Sequence, residues 1–250
     1  LFNDGKVSDV EIAQIAQAAE NKFFGKPCGL LDQMTSSVGS FVEIDFADPA
    51  KPVIEKVNFD FASCGYALCI VDTGGSHSDL TDEYAAVRKE MESVAAYLGK
   101  SVLREVDESE FMKNIADIRS SCGDRAVLRA MHFYGDNARV EKQAAALRAG
   151  DFETFMKYII ESGRSSYMYN QNVYSCKKAA EQPVSLALSL SEKLLDGYGA
   201  WRVHGGGFAG TIQAFVPLNK LDEYKDLMER VFGSGSCYVL SVRPVGGVEL

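Results

Sequence analysis

The chain has 250 residues, of which 46% are hydrophobic and 24% charged, with 35 acidic against 26 basic side chains and a net charge of −9. This composition suits folded globular material and disfavours disorder. It leaves no basic stripe to neutralise a phosphate backbone, which disfavours a nucleic-acid role.

In chain order, "SDVEIAQIAQAAENKFFG" reads as an amphipathic helix capped by Ser8 and stopped by Gly25. Its spacing predicts one apolar face through Ile12, Ile15, Ala16, Ala19 and Phe23. The stretch "GKPCGLLDQMTSSVG" follows and places one carboxylate, Asp32, behind a glycine turn and at the front of a helix-compatible run. Asp32 is open to three readings: interaction with a helix macrodipole, a water-facing charge, or a functional group. "FVEIDFAD" and "PVIEKVNFDF" alternate with strand periodicity, and "YALCIVDT" has the length and apolarity of a buried strand.

A Gly74–Gly75 pair and a change of composition place a domain boundary near residue 75, giving 1–75 and 76–250. Helical spacing then runs through Leu80, Tyr84, Val87, Met91, Val94 and Leu98, closed by Gly99. On that helix Arg88 and Glu92 form an i, i+4 pair worth a few tenths of a kcal/mol. The region 101–195 reads as almost wholly helical, with His132 inside a helix and no role assigned to it. After it come a strand, the glycine loop of "AWRVHGGGFAGTIQAFVP", a second strand, the helix "LNKLDEYKDLMERVFG" and the strand "CYVLSVRPV". That order predicts an α+β class with antiparallel pairing.

Six scattered cysteines with no C-x-x-C pair, and no His/Cys cluster at metal-ligand spacing, read as reduced, mostly buried thiols and predict no metal centre on these residues. No run approaches the roughly eighteen apolar residues of a membrane span, and the start has no signal-peptide pattern. The expected setting is cytoplasmic, without membrane partners. Leu1 in place of Met points to a chain that begins inside a longer protein.

Gly205, Gly207 and Gly210 fit G-x-G-x-x-G literally, yet a strand follows where a dinucleotide-binding turn needs a helix. No V-A-I-K, H-R-D or D-F-G segment accompanies the loop, which removes the protein-kinase reading. Gly99, Lys100 and Ser101 lack the upstream glycine of a Walker A loop and read as a helix end. What remains is a glycine-dense turn between strands, either a tight hairpin or a place of close backbone approach.

Two segments together resemble the galactokinases of the GHMP kinase superfamily. "GKPCGLLDQ" is similar to their G-[VI]-P-C-G-[IL]-[ML]-D-Q, and "RVHGGGFAG" to their R-x-T-G-G-G-F-G-G, while "HSDLTDEYAAVRKEME" resembles the helix start lying between those motifs. The resemblance runs over nearly the whole chain. It implies a two-domain GHMP fold, with the end of the N-terminal domain in 1–75 and the C-terminal domain in 76–250. It implies transfer of the γ-phosphate of ATP to the anomeric hydroxyl of galactose, with Asp32 as the catalytic carboxylate and Gly29, Asp32 and Tyr84 facing the sugar.

By the same resemblance Gly205, Gly206, Gly207 and Gly210 lie near the nucleotide, and Mg²⁺ is held mainly outside this chain. A monomer acting on small molecules is implied. The upstream G-L-S-S-S-A loop and the arginine expected beside Asp32 lie outside these 250 residues, so the polypeptide alone is expected to be inactive. The alternatives are another acceptor such as N-acetylgalactosamine, or a sugar-sensing relative without turnover. His204 stands where the family has threonine and Ala209 where it has glycine, so loop contacts and substrate choice are open there. Tyr84 can equally be a core aromatic in register with Leu80 and Val87, and His77 reads as orienting its loop.

Overall fold

The computed structural model describes residues 6–25, 28–48, 50–75 and 80–247. Its elements run α1 (Asp9–Ala18), α2 (Leu31–Val38), β1 (Phe41–Asp45), β2 (Val53–Val57), β3 (Tyr66–Asp72), α3 (Thr81–Tyr97), α4 (Glu108–Lys113) and α5 (Ile115–Cys122). They continue as α6 (Asp124–Arg148), α7 (Phe152–Ser165), α8 (Pro183–Leu195), β4 (Ala200–Val203), β5 (Thr211–Pro217), α9 (Leu221–Phe232) and β6 (Cys237–Leu240). Two compact units form: one reaches to Phe61 and includes the segment from Ser241 onward, and the other spans Ala62–Leu240. The expected boundary at Gly74–Gly75 falls inside the second unit, because β3 is hydrogen-bonded to β5 and β6 there.

In the first unit α1 starts on a capping box: Glu11 N–H donates to Ser8 Oγ, and Ser8 N–H donates to the Glu11 carboxylate at 2.8 Å. The helix widens into a π-helical turn, Ala19–Phe24, which Gly25 ends at φ +77°. Its inward face differs from the expected one. Ala13 is buried, whereas Ile12, Ile15 and Phe23 are 48%, 61% and 89% exposed. A small residue at the crossing point lets α1 approach α2, and that approach turns Val10 and Ala13 onto Met34 and Val38. Full burial of Met34 contributes about 2–3 kcal/mol. β1 and β2 form an antiparallel hairpin, Phe41 opposite Val57, whose Val42, Ile44 and Ile54 close this core.

The second unit is a four-stranded antiparallel sheet in the order β4-β5-β3-β6. Ala67, Cys69 and Val71 of β3 point alternately into a core shared with Val184 and Ala187 of α8 and Tyr224 and Met228 of α9. A second core, around Val94, Phe111, Ile118 and Ala130, joins α3 to α4, α5 and α6. Gly99 ends α3 at φ +71°, as a helix stop should. Arg88 and Glu92 form their expected exposed pair at 2.6 Å. No disulfide joins the six cysteines, but only Cys69 and Cys237 are buried and Cys176 is exposed. Apolarity alone was a poor guide to burial for the other cysteines, since four of them lie in loops or at helix ends. Among the described residues no helix is long and apolar enough to cross a membrane.

His132, on α6, sits within 2.9 Å of Ser165 Oγ through Nδ1 and 3.6 Å from Asp136 through Nε2. Burial lowers its pKa, Arg202 and Arg139 act in the same direction, and Asp136 opposes them. The folded protein therefore prefers the neutral ring more than the unfolded chain does. Its contribution to stability is complete above the unfolded value near 6.5 and is lost as pH falls through the lower folded value. The melting temperature should fall from pH 7 toward pH 5, and His132→Gln should flatten that slope. An unchanged slope would assign the pH dependence to other groups.

Candidate functional site

The two motif segments fall in different units, and each is built from its own neighbours. In the first unit the Cys28–Gly29 turn is tied to the end of α1. Asn21 holds both main-chain groups of Cys28: its Oδ1 accepts from Cys28 N–H at 2.7 Å, and its Nδ2 donates to Cys28 O at 3.3 Å. Glu20 accepts from Cys28 Sγ at 3.2 Å and from Gln33 Nε2 at 2.9 Å. These ties aim the start of α2. Gly29 is exposed, and a Cβ there would meet nothing within 4 Å. The backbone is open to an approaching group at that point.

Asp32 occupies the second position of α2 and is exposed. It does not cap the helix, since Leu30 holds the cap position without a side-chain bond. Among the described residues its carboxylate has no hydrogen-bond or ion-pair partner. It faces a cleft of about 460 Å³ between α1 and α2, lined also by Ile12, Ala16, Ser36 and Arg243. Arg243 reaches this cleft because the chain returns after β6: Ser40 N–H donates to Arg243 O at 2.7 Å, and Arg243 Nη2 donates to Ser36 O at 3.4 Å. Sequence reasoning missed this arginine, since only the fold brings residue 243 beside residue 36.

In the second unit the loop 204–210 joins β4 to β5, so the glycines do lie between two strands. His204 N–H donates to Thr211 O at 3.0 Å, and its Nδ1 lies 3.0 Å from Gln213 Oε1. Thr73 donates twice to Gly210 O, from its N–H at 2.9 Å and its Oγ1 at 2.6 Å. Gly207 has φ +80°, and any Cβ there would overlap Asn172 O, so conformation and space both demand glycine.

Gly206 behaves differently. The sequence suggests a need for positive φ or for close backbone approach, yet of the loop's four glycines Gly205, Gly207 and Gly210 have positive φ and Gly206 does not. The constraint at Gly206 is the Tyr84 ring, 2.8 Å from where a Cβ would stand.

Tyr84, on α3, packs against this loop. Its hydroxyl donates to Gly207 O at 2.8 Å, and its ring meets Phe208 edge-on at 5.4 Å. It packs with Leu80, Val87 and Ala209 as well, so the core reading and an ordered polar contact hold together. Burial raises the phenol pKa, which keeps it a hydrogen-bond donor at neutral pH. Ala209 is buried, and its Cβ would crowd a Cβ on Gly75 at 2.9 Å, so the extra methyl group points into the protein. His77 lies outside the described residues.

The N–H groups of Gly205, Gly206 and Gly207 make no hydrogen bond among the described residues. Successive free amides in a turn of alternating hand suit an anion's oxygens. No group of three or more His, Cys, Asp or Glu among the described residues is placed to hold a metal ion.

No protein-family model matches the chain. It is 28% identical over 228 residues to the galactokinase of Actinobacillus pleuropneumoniae serotype 3 (strain JL03), which covers 91% of this chain and 56% of that protein. It is 31% identical over 229 residues to the galactokinase of Homo sapiens, covering 92% and 55%. The chain thus spans about half the length of the curated relatives it matches. The crystal structure of Lactococcus lactis galactokinase complexed with galactose superposes with a TM-score of 0.72 at 22% identity, over 99% of this chain and 62% of that one. The mevalonate kinase of L. major in complex with R-mevalonate gives 0.58 at 14% identity, over 97% and 60%. The mixed helical and antiparallel fold is that of the GHMP kinases.

Proposed function

We propose that this chain, homologous to galactokinases over nine-tenths of its length, is part of an ATP-dependent kinase that phosphorylates the anomeric hydroxyl of galactose. The first unit, with Asp32, is assigned to the end of the N-terminal GHMP domain. The unit 62–240, with the glycine loop, is assigned to the C-terminal domain. The observation that carries the reading is Asp32 itself: a carboxylate in a G-L-L-D-Q setting, exposed on a cleft and without a partner among the described residues.

Phosphoryl transfer asks mainly for in-line positioning and charge stabilisation. When bound, ATP supplies the γ-phosphoryl group. Asp32 accepts a hydrogen bond from the sugar hydroxyl and takes its proton at a carboxylate oxygen as the transfer proceeds. Gly29 leaves the backbone open to the sugar ring, and Tyr84 stands as a further sugar contact. The free N–H groups of Gly205, Gly206 and Gly207 fit the phosphate oxygens of a nucleotide. By the resemblance, Mg²⁺ would be held mainly by the part of the protein outside this chain, where it would neutralise charge on the nucleotide phosphates. The same reading takes the protein as a cytoplasmic monomer with sugar and nucleotide as its partners.

The test is product analysis. In the complete protein containing this chain, galactose with ATP should give a sugar 1-phosphate detectable by ³¹P NMR, at a kcat/KM well above that for N-acetylgalactosamine. The reverse preference would reassign the acceptor. Binding of both galactose and ATP without product would identify a sensor.

A further inference from the structure

The peptide groups of the glycine loop are sorted by direction. The carbonyls of Gly206, Gly207 and Gly210 accept from Asn172 Nδ2 at 3.2 Å, Tyr84 Oη at 2.8 Å and Thr73 Oγ1 at 2.6 Å. The amides of Gly205, Gly206 and Gly207 have no partner among the described residues. In a trans peptide the C=O and N–H point opposite ways. Holding Gly206 O against Asn172 therefore sends the Gly207 N–H away from Asn172.

That orientation is not inherent in the sequence. The peptide between Gly206 and Gly207 has glycine on both sides, so the chain can rotate it with little steric resistance. Rotated by half a turn, it would present a carbonyl where an anion needs a donor. Asn172 is the side chain that holds the observed orientation, through Nδ2 to Gly206 O at 3.2 Å. It is 5% exposed, and its main-chain O accepts the Phe208 N–H, gripping the loop on the other side of Gly207. Phe208 is held there at φ +59°, a conformation side chains rarely adopt. Asn172 Oδ1 remains buried without a partner, a cost that an apolar residue at 172 would avoid.

We propose that Asn172 is a positioning residue for phosphate recognition: its side-chain amide locks the Gly206–Gly207 peptide so that three successive N–H groups face an anion, and the Tyr84 hydroxyl locks the next peptide. This rests on the phosphate-facing reading of the loop given above. It adds a role for Tyr84 inside the loop, separate from any sugar contact.

The test is a titration of the 250-residue chain with inorganic tripolyphosphate, followed through the amide signals of Gly205, Gly206 and Gly207. The unsubstituted chain should show saturable shifts at all three. Asn172→Ala should weaken binding roughly fivefold or more, with Phe208 amide exchange unchanged because the main-chain acceptor remains. Tyr84→Phe should weaken it by a smaller factor, and it carries the test if Asn172→Ala does not fold. Equal affinity in the unsubstituted chain and the folded variants overturns this inference alone. Absence of any response in the unsubstituted chain overturns the loop's anion role and this inference with it.

Discussion

Asp32→Asn is expected to lower galactose turnover by roughly 10²–10⁴-fold, the range general-base groups contribute, while moving the melting temperature by no more than about 2 °C. The loss corresponds to about 3–5 kcal/mol of transition-state stabilisation. An amide of nearly the same volume preserves the shape of the side chain but cannot take the proton. The stability cost is small for a structural reason: Asp32 is exposed, does not cap α2 and has no partner among the described residues that the substitution would strand. Only its favourable position near the helix N-terminus is lost, worth about 0.3–1 kcal/mol at the surface. The check is kcat at saturating galactose and ATP in the complete protein, with melting measured on the same sample. Turnover within a few-fold of the parent would reduce Asp32 to a helix-end charge.

Gly246→Ala is expected to destabilise the first unit by about 2–4 kcal/mol, whereas Gly247→Ala next to it should change stability by less than about 0.5 kcal/mol. A Cβ on Gly246 would overlap the carbonyl of Ser37, and one on Gly39 would overlap the carbonyl of Val245, so the returning segment lies backbone against backbone on the end of α2. Neither carbonyl is the movable tip of a side chain. Gly247 has nothing within 4 Å of its Cβ position. Urea unfolding of the two variants beside the parent measures the difference. Equal midpoints would mean that the segment from Ser241 does not hold to α2 as described. Loss of this contact would also withdraw Arg243 from the Asp32 cleft.

Local chemistry was legible wherever it acts over a few residues. Ser8 announces the start of α1, Gly25 and Gly99 announce helix ends, and the strand alternation in 41–57 is realised as a hairpin in one register. Apolarity without context misled on α1, whose Ile12, Ile15 and Phe23 face out because Ala13 makes the close helix contact. The glycine pair at 74–75 looked like a boundary, since a break in composition says nothing about which strands pair. A functional reading of Asp32 came only through the motif around it; the water-facing reading fits its exposure, and the cleft it lines with Arg243 left no mark in the sequence.

By itself the sequence determined the α+β class and the placing of the glycine loop between strands, because turn conformation and strand periodicity depend on near neighbours. Tertiary structure alone decided that Asn172 and Tyr84 grip that loop and that Gly246 seats the returning chain on α2. It also decided that Arg243 shares a cleft with Asp32. These contacts join residues separated by 34 to more than 200 positions. Packing and hydrogen-bond geometry bring them together, and neither leaves a periodic trace along the chain.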